Sequence, residues 1–365
     1  MHDRELFEKA FSPLHASPDT LTEVRKTMRN EKKTRRALGK SAVVAIAAAL
    51  TLTIAVAGGI VTLIRADVSP ADKVDDTTHH AFTDDLDATT PTVDDGKGTA
   101  VSVPDMERIP GDIQTTQRLV GKYLSKLDAE MTVEGNTIRL GTLLIDESGS
   151  GMLTYSVENP NGVKYTDAGY GEAVDMSAEP SMWLGSAPDA QGYGGTCINS
   201  RCHVDEDAST DTRLQVVLYF AAGKDFQKGD DFYFTVRDSA YQPYSISIQP
   251  QTYVPVKTMT SGSETLTLSP LGMSIRNAHP DREPLVDELT LRYQDGSEFT
   301  VESSSRSLMN WVVGCMRGSD DVPFADNTYV FDRLVDVDAV SSVTLEGHQH
   351  TDGAADDTFP LTYQP

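Results

Sequence analysis

The three cysteines of this 365-residue chain are the side chains whose chemistry depends most on their spacing. Cys197 and Cys202 are separated by four residues in the string CINSRC, within a glycine-rich stretch. In an oxidising compartment such a pair can close a small loop, and we predict a disulfide between them. A metal site there would need more ligands than the adjoining His203 supplies. Cys315 is left over, and we expect it to be a buried free thiol, since the sequence identifies no base that would activate it.

The other candidate chemical groups do not form a catalytic pattern. His79 and His80 lie among aspartates in a polar stretch, and His348 and His350 follow a predicted strand. His79 and His80 could bind a cation with the neighbouring aspartates, but a metal site needs a rigid frame, which we do not expect in this stretch. Two histidines in a terminal turn, such as His348 and His350, are usually solvated. The string Ser148–Gly151 lacks the full pattern of a nucleophile elbow, and a tight turn between strands explains it. We therefore predict no catalytic residues, no metal, no cofactor and no enzymatic activity.

The distribution of charge divides the chain into an inner and an outer part. The whole chain has 31 Lys and Arg against 55 Asp and Glu, a net charge of −24, which argues against nucleic-acid binding. Residues 1–40 nevertheless carry ten basic and six acidic residues. The basic excess of this short segment and the acidic character of the rest suggest that the two parts face different surroundings.

Residues 41–64 form an uncharged apolar run of twenty-four residues. As a helix this run would be about 36 Å long, enough to cross the ~30 Å hydrocarbon core of a bilayer. Its N-terminal flank is basic, so we predict a single-pass protein of the cell membrane with a cytoplasmic N-terminus and an outer C-terminal part. The alternative is a cleaved signal peptide with Ala55–Ala57 as the cleavage motif, but forty residues before the apolar run is long for that.

The inner segment, residues 1–40, carries two short apolar stripes. They are predicted on two helices separated by Pro13, the second beginning at Ser17 with a capping hydroxyl. A segment this small cannot bury a core alone, so the stripes suggest docking onto a partner; a tail lying on the membrane surface is the alternative. The candidate partner-binding residues are Leu6, Phe7, Phe11, Leu21 and Val24.

The outer part is predicted to be mainly β. Residues 65–110 read as an acidic, flexible stalk, because they offer little apolar surface to bury. Residues 111–254 are expected to form a β-rich domain with one N-terminal helix over 111–131, and residues 255–365 a second antiparallel β-sandwich. The strongest hairpin signal is 289–301, where apolar residues alternate around the turn residues Asp295-Gly296.

Several strings resemble one known family. TIRLGTLLIDESGSGMLTYSVENPNG is similar to the first outer domain, often described only as a domain of unknown function, of membrane-anchored, anti-sigma-factor-like proteins of Gram-positive bacteria. LTLSPLGMSI, ELTLRYQDGSEF and DVDAVSSVTLEG resemble the immunoglobulin-like domain that follows it, and LFEKAFSPLHASPDTLTEV resembles the short cytoplasmic segment.

The resemblance implies a cytoplasmic segment that holds a sigma factor and an outer region that senses a signal. Zinc-containing anti-sigma domains carry a His and Cys motif. Here no cysteine precedes Cys197, and the only histidines of residues 1–40 are His2 and His15. Sigma binding would therefore be metal-free. The leading hypothesis is a membrane-tethered regulator that sequesters an extracytoplasmic-function sigma factor; the alternative is a cell-surface binding or adhesion module with a simple anchor.

Overall fold

The computed structural model of the chain describes residues 51–56, 59–82, 92–94, 100–102, 113–167, 172–174, 180–223, 226–276, 284–306, 308–319, 322–331, 333–349 and 357–365. As the alternating patterns predict, this part of the chain is mainly β. Its helices are α1 (Asp76–His80) and α2 (Ile113–Leu119), with short 3₁₀ turns at Gly121–Tyr123 and Val337–Ala339. Within the described ranges no helix combines the length and the apolar character that crossing a membrane requires.

The strands of the first half of the chain are β1 (Thr51–Val56), β2 (Gly59–Arg65), β3 (Asp67–Pro70), β4 (Thr92–Asp94), β5 (Ala100–Ser102), β6 (Ser125–Asp128), β7 (Glu130–Val133), β8 (Asn136–Ile145), β9 (Ser150–Glu158), β10 (Tyr165–Asp167), β11 (Glu172–Val174), β12 (Ser181–Leu184), β13 (Thr196–Thr210), β14 (Arg213–Ala221), β15 (Phe232–Arg237) and β16 (Pro243–Ile248). Those of the second half are β17 (Lys257–Ser261), β18 (Glu264–Leu268), β19 (Gly272–Arg276), β20 (Pro284–Tyr293), β21 (Glu298–Ser303), β22 (Leu308–Met309), β23 (Trp311–Ser319), β24 (Val322–Phe331), β25 (Val340–Gln349) and β26 (Asp357–Tyr363).

Twelve strands of the first half form one curved sheet, in the order β1-β2-β16-β15-β12-β13-β14-β9-β8-β6-β3, with β7 also paired to β8. The long strand β13 makes the corner, because its first residues pair with β12 and its later ones with β14. The two halves of the sheet face each other across a first core, where the rings of Tyr155 and Phe234 lie 5.1 Å apart. The curved sheet is therefore a sandwich closed at one side by a shared strand.

The C-terminal sandwich consists of two five-stranded sheets, β17-β18-β19-β24-β23 and β22-β21-β20-β25-β26. Both sheets contribute buried side chains to one core, the third in chain order. The predicted hairpin is confirmed: Leu291 pairs with Phe299, both are buried, and Asp295-Gly296 forms the turn with Gly296 at φ +87°. This hairpin was predictable from the sequence because only one face of its sheet is covered, which makes apolar and polar residues alternate strictly.

A second core lies between the curved sheet and the C-terminal sandwich. The predicted inward residues of β9, such as Leu153, belong to the first core, but its alternate residue Met152 is equally buried and belongs to the second. Strand β14 behaves alike, with Leu218 in the first core and Tyr219 in the second. The central strands of the curved sheet are thus covered on both faces, which their period-two pattern did not indicate.

The predicted transmembrane helix over 41–64 differs from the structure in its second half, where β1 and β2 are antiparallel strands. Residues 41–50 lie outside the described ranges. The strand residues are rich in Thr, Ile and Val, which favour extended backbone, and β2 also pairs in parallel with β16. Ile64, paired with Ile246, is 7% exposed in the first core. An apolar run alone does not distinguish a buried strand from a helix, and here the β-branched residues decide.

The predicted helix over 111–131 is also shorter than expected. Residues 111–112 lie outside the described ranges, α2 ends at Leu119, and the remainder forms a 3₁₀ turn followed by β6 and β7. In these strands Leu127 and Met131 are buried, in alternation with exposed residues. The apolar spacing fitted both periods over this short interval, and pairing with β3 and β8 selects the strand.

Candidate functional site

The segment that follows the apolar run is folded onto the curved sheet. This segment, Ala66–Phe82, is called the strap below; it contains β3 and α1, and Val74, Ala81 and Phe82 are each at most 3% exposed in the second core. The prediction of a flexible stalk over 65–110 is therefore wrong for the strap. Apart from the paired strands β4 and β5, residues 83–110 lie outside the described ranges.

Local sequence explains how the strap folds. Asp75 caps α1, because its backbone is extended at φ −88° and ψ 167° while its carboxylate accepts a hydrogen bond from the Thr78 amide at 2.7 Å. This is the usual role of aspartate at a helix N-terminus. Upstream, the amide of Val74 donates to the side-chain oxygen of Gln117 in α2 at 3.1 Å. Burial of apolar side chains and capping of free amides therefore fix a stretch that is acidic overall.

Polar contacts connect the strap to the curved sheet. The hydroxyl of Thr78 lies 2.8 Å from that of Thr142, which in turn lies 3.0 Å from that of Thr154. The Tyr219 hydroxyl donates to the carbonyl oxygen of Ala81 at 2.5 Å. A buried hydroxyl that loses its partner costs about 1–3 kcal/mol, so these contacts define one position of the strap on the sheet.

A histidine–carboxylate pair holds the end of α1. His80 Nδ1 lies 3.0 Å from a carboxylate oxygen of Asp205 on β13. The Asp205 side chain is 5% exposed and that of His80 is 25% exposed. His80, one of the two adjacent histidines noted in the sequence, thus takes part in a structural contact between the strap and the corner strand.

Asp146 is the polar centre of the junction between the curved sheet and the C-terminal sandwich. Its side chain is fully buried. One oxygen accepts from the Ser148 amide at 2.8 Å, the Ser148 hydroxyl at 2.7 Å and the Ser150 amide at 3.0 Å, and the other accepts from the Ser269 hydroxyl at 2.6 Å. Since Ser269 belongs to the C-terminal sandwich, this carboxylate joins the two parts directly.

The junction combines a buried carboxyl group with main-chain hydrogen bonds between the two parts. Burial raises the pKa of Asp146, and hydrogen bonds from Ser269 and Ser148 oppose that rise. Beside it, the Val254 amide donates to the carbonyl oxygen of Ile145 at 2.8 Å, which extends the sheet across the junction. With the apolar residues of the second core, these contacts bind strap, curved sheet and C-terminal sandwich into one unit. Such an arrangement can transmit a change in one part to the others.

The structure shows no disulfide between Cys197 and Cys202, contrary to the prediction. Both lie on the extended strand β13, where Cys197 pairs with Trp183 and Cys202 with Leu218. Five residues of strand separate their Cα atoms by about 16 Å, whereas a disulfide needs less than about 7 Å. Their odd separation also places them on opposite faces of the strand. Burial raises the pKa of the Cys197 thiol, which disfavours the reactive thiolate.

Most of the remaining predicted site residues lie outside the described ranges. The candidate partner-binding residues all lie outside the described ranges: Leu6, Phe7, Phe11, Leu21 and Val24. His350 and the side chains of Cys315 and His348 lie outside them as well. Within the described part of the chain, no three His, Cys, Asp or Glu side chains come together as a metal site would need.

Sequence reasoning missed the strap and Asp146, although each left a local signal. Asp75 ahead of a short run of helix-compatible residues is a capping signal, and the apolar Val74 and Phe82 flank it. Asp146 opens the turn before Gly149, which is a common place for a carboxylate that binds turn amides. Neither signal reveals burial, because burial depends on a surface that is distant in sequence.

No model of a known protein family matches the chain. The curated proteins include no significant match to it.

Proposed function

We propose that this protein is a membrane-tethered regulator of the anti-sigma-factor type. Its cytoplasmic segment, residues 1–40, holds an extracytoplasmic-function sigma factor through its apolar stripes, by covering the surface that would bind RNA polymerase. Its outer region of two sandwiches, the second immunoglobulin-like, acts as the sensor. In this proposal the protein lies in the cell membrane with its N-terminus in the cytoplasm.

The observation that carries this proposal is the strap. An adhesion module on a simple anchor is best served by a mobile stalk, whereas a sensor needs its outer domain joined firmly to the membrane-spanning segment. In this chain the end of the apolar run and the residues directly after it enter the outer fold: Ile64 contributes to the first core, and Phe82 to the second. The strap therefore favours a signalling protein over an adhesin.

The membrane anchor of the proposal is shorter than the apolar run. Strand β2 uses Gly59–Arg65 in the curved sheet, which leaves residues 41–58 for the bilayer. Eighteen residues make a helix of about 27 Å, near the lower limit for crossing a membrane. Since Thr51–Val56 form strand β1 paired with β2 in the structure, this anchor requires β1 to leave the curved sheet and join the helix while β2 stays in the outer domain. The outer domain would then sit directly on the membrane surface.

The test is capture of the partner by the full-length protein in native membranes. Affinity purification from solubilised membranes, followed by mass spectrometry, should retain a sigma factor. Replacing an apolar anchor at an interface hot spot costs about 2 kcal/mol or more, roughly thirtyfold in affinity. Phe11→Ala combined with Leu21→Ala should therefore release the sigma factor and raise transcription from its promoters.

A matched control separates sequestration from anchoring. Replacing Lys32, Lys33, Arg35 and Arg36 by Gln removes the orienting charges but keeps the apolar stripes, so the isolated 1–40 peptide should still bind the sigma factor. If the wild-type protein retains no sigma factor, or the double variant retains it equally, sequestration fails and the adhesion module takes its place.

A further inference from the structure

Two tyrosines are exposed to solvent in loops of the curved sheet. Tyr193 is 71% exposed and Tyr241 is 70% exposed, whereas Tyr155 and Tyr219 on the central strands are at most 1% exposed. Tyr193 lies in the loop between β12 and β13, and Tyr241 lies in the turn between β15 and β16. Single exposed apolar residues are common on protein surfaces, so the support and the position of these two decide what they indicate.

The side chain of Arg237 joins the two loops. Its Nη1 donates to the carbonyl oxygen of Asp189 at 3.2 Å and to that of Tyr241 at 3.0 Å. Two oxygens that accept from one nitrogen lie within about 6 Å of each other. The Asp189 amide in turn donates to the carbonyl oxygen of Tyr193 at 2.6 Å. Tyr193 and Tyr241 therefore belong to one surface, which is called the tyrosine patch below.

Hydrogen bonds fix the main chain of both loops. The Asp189 carboxylate accepts from the Tyr193 amide at 2.9 Å. The Asp238 carboxylate accepts from the amides of Ala240 and Gln242 at 2.9 and 2.8 Å. Both acidic side chains are thus used inside their own turns, in the usual manner of aspartate. The patch combines two exposed aromatic rings with a main chain that is held in place.

The backbone of Tyr241 is unusual for its residue type. Its φ is +62°, in the left-handed region, where a bulky side chain is rare and asparagine or glycine is preferred. The turn is held from outside as well, because the Ser239 amide donates to the Glu134 carboxylate at 3.0 Å. Since a smaller residue would suit this backbone better, the turn itself does not explain the aromatic ring. A strained residue with an exposed ring points to a contact outside the fold.

Strand register shows which end of the sheet carries the patch. Strand β16 runs parallel to β2, with Tyr244 opposite Thr62. The turn that contains Tyr241 directly precedes β16, so it lies at the end of the sheet where β2 begins with Gly59. In the proposed anchor the chain leaves the bilayer just before Gly59. The tyrosine patch would then lie level with the point where the chain leaves the membrane.

We propose that the tyrosine patch rests in the headgroup region of the bilayer and seats the outer region on the membrane. Tyrosine suits this region, because its ring is apolar and its hydroxyl reaches water or polar headgroups. Lipid is favoured over a protein ligand by the position of the patch beside the proposed anchor. The inference rests on the proposed membrane placement and adds a second membrane contact to it.

The experiment measures tryptophan fluorescence of the full-length protein in phosphatidylcholine nanodiscs, with and without lipid brominated in the upper part of its acyl chains. Bromine quenches a tryptophan that it contacts. Tyr193→Trp and Tyr241→Trp should each lose a larger fraction of their fluorescence than the wild type, which has only Trp183 and Trp311. The control is Gln251→Trp, an exposed position that follows β16 at the opposite end of the strand, and it should be quenched no more than the wild type.

Elution of the protein with the nanodiscs tests the anchor separately. If the protein elutes with them but neither tyrosine variant is quenched more than the wild type, the patch is wrong and the anchor stands. Stronger quenching of Gln251→Trp than of Tyr241→Trp would also overturn the inference, because the opposite end of β16 would then face the bilayer. A protein that elutes apart from the nanodiscs would overturn the anchor and the patch together. If Tyr241→Trp melts early, Tyr193→Trp alone decides.

Discussion

The two sandwiches of this protein are built from similar strands but use their sheet faces differently. In the curved sheet, Leu218 and Tyr219 are adjacent on β14 and both are buried, one in the first core and one in the second. In the C-terminal sandwich, Leu291 is buried and its neighbour Arg292 is exposed and paired with Glu298. The first is covered on both faces by other parts of the chain, whereas much of the second faces solvent.

The difference shows where coupling can occur in the outer region. A sheet covered on one face is stabilised mainly by its own sandwich. A sheet covered on both faces is also stabilised by whatever lies on the second face, here the strap and the strands around Val254 and Val312. The curved sheet is therefore the element through which the strap and the C-terminal sandwich can affect each other.

The largest effect is expected when the strap loses its apolar anchor. Phe82→Ala empties a site that is 2% exposed in the second core, and we expect a loss of about 3–5 kcal/mol in stability. The matched change Phe299→Ala in the third core should cost a similar amount in denaturant unfolding. Only Phe82→Ala should make the strap amides exchange faster with solvent under native conditions. Equal exchange in the two variants would contradict separate cores.

The next effect concerns the buried carboxylate of the junction. Asp146→Ala would leave the donors of Ser148, Ser150 and Ser269 without their acceptor, so we expect about 3 kcal/mol of destabilisation. Asp146→Asn keeps one oxygen acceptor and should cost less. Denaturant unfolding of the three proteins measures both values; an alanine variant as stable as the wild type would show that the junction does not depend on this residue.

The same residue predicts a dependence of stability on pH. Because burial raises the pKa of Asp146 above its ordinary value of 3.8, the folded state binds the proton more tightly than the unfolded state. Its contribution to stability is therefore full below about pH 4 and declines as the pH rises through the folded-state pKa. Asp146→Asn should lack this decline. Parallel pH profiles of wild type and variant would mean that the carboxyl titrates alike in both states.

A smaller effect compares one turn from each sandwich. Gly149 and Gly296 have nearly the same backbone, at φ +85° and +87°. A Cβ on Gly149 would lie 2.8 Å from the Phe226 ring, whereas a Cβ on Gly296 would meet nothing within 4 Å. Gly296→Ala should cost about 1 kcal/mol from backbone strain alone, and Gly149→Ala about 1–3 kcal/mol more from the clash. Equal melting temperatures of the two variants would show that packing around the two turns does not differ.

The smallest effect is expected from reduction. Because no disulfide joins Cys197 and Cys202 on β13, reductant should leave the melting temperature unchanged, and both cysteines should alkylate after unfolding without reductant. Mass spectrometry of the non-reduced protein measures this. A peptide linking the two cysteines would contradict the extended path of β13.

How much of the fold can be predicted from the sequence depends on whether a sheet is covered on one face or on both. The hairpin of β20 and β21 was predictable because Leu291 and Phe299 alternate with polar residues around an Asp-Gly turn. The burial of the strap was not predictable, because it depends on the packing of Phe82 in one core with Tyr219 and other residues more than a hundred positions away. Spacing within the chain reports local periodicity, and it carries little information on contacts between distant segments.

The candidate site shows the same limit. Cys197 and Cys202 are close in sequence, but pairing with β12 and β14 holds them on one extended strand. In the apolar run, composition permits a helix or a strand, and the pairing of β2 with β16 selects the strand for residues 59–65. The partner-binding residues of the inner segment stay a prediction that the partner itself must test.

The central claim is that the strap is part of the fold that the two sandwiches form, and native-state hydrogen exchange on the full-length protein tests it most directly. The Ala66 amide donates to Ser247 at 2.9 Å, that of Ala71 to Leu124 at 3.0 Å and that of Ala81 to Thr77 at 3.0 Å. We expect these amides to be protected to a degree comparable with those of β14. Exchange of residues 66–82 at the rate of an unstructured peptide would contradict the account.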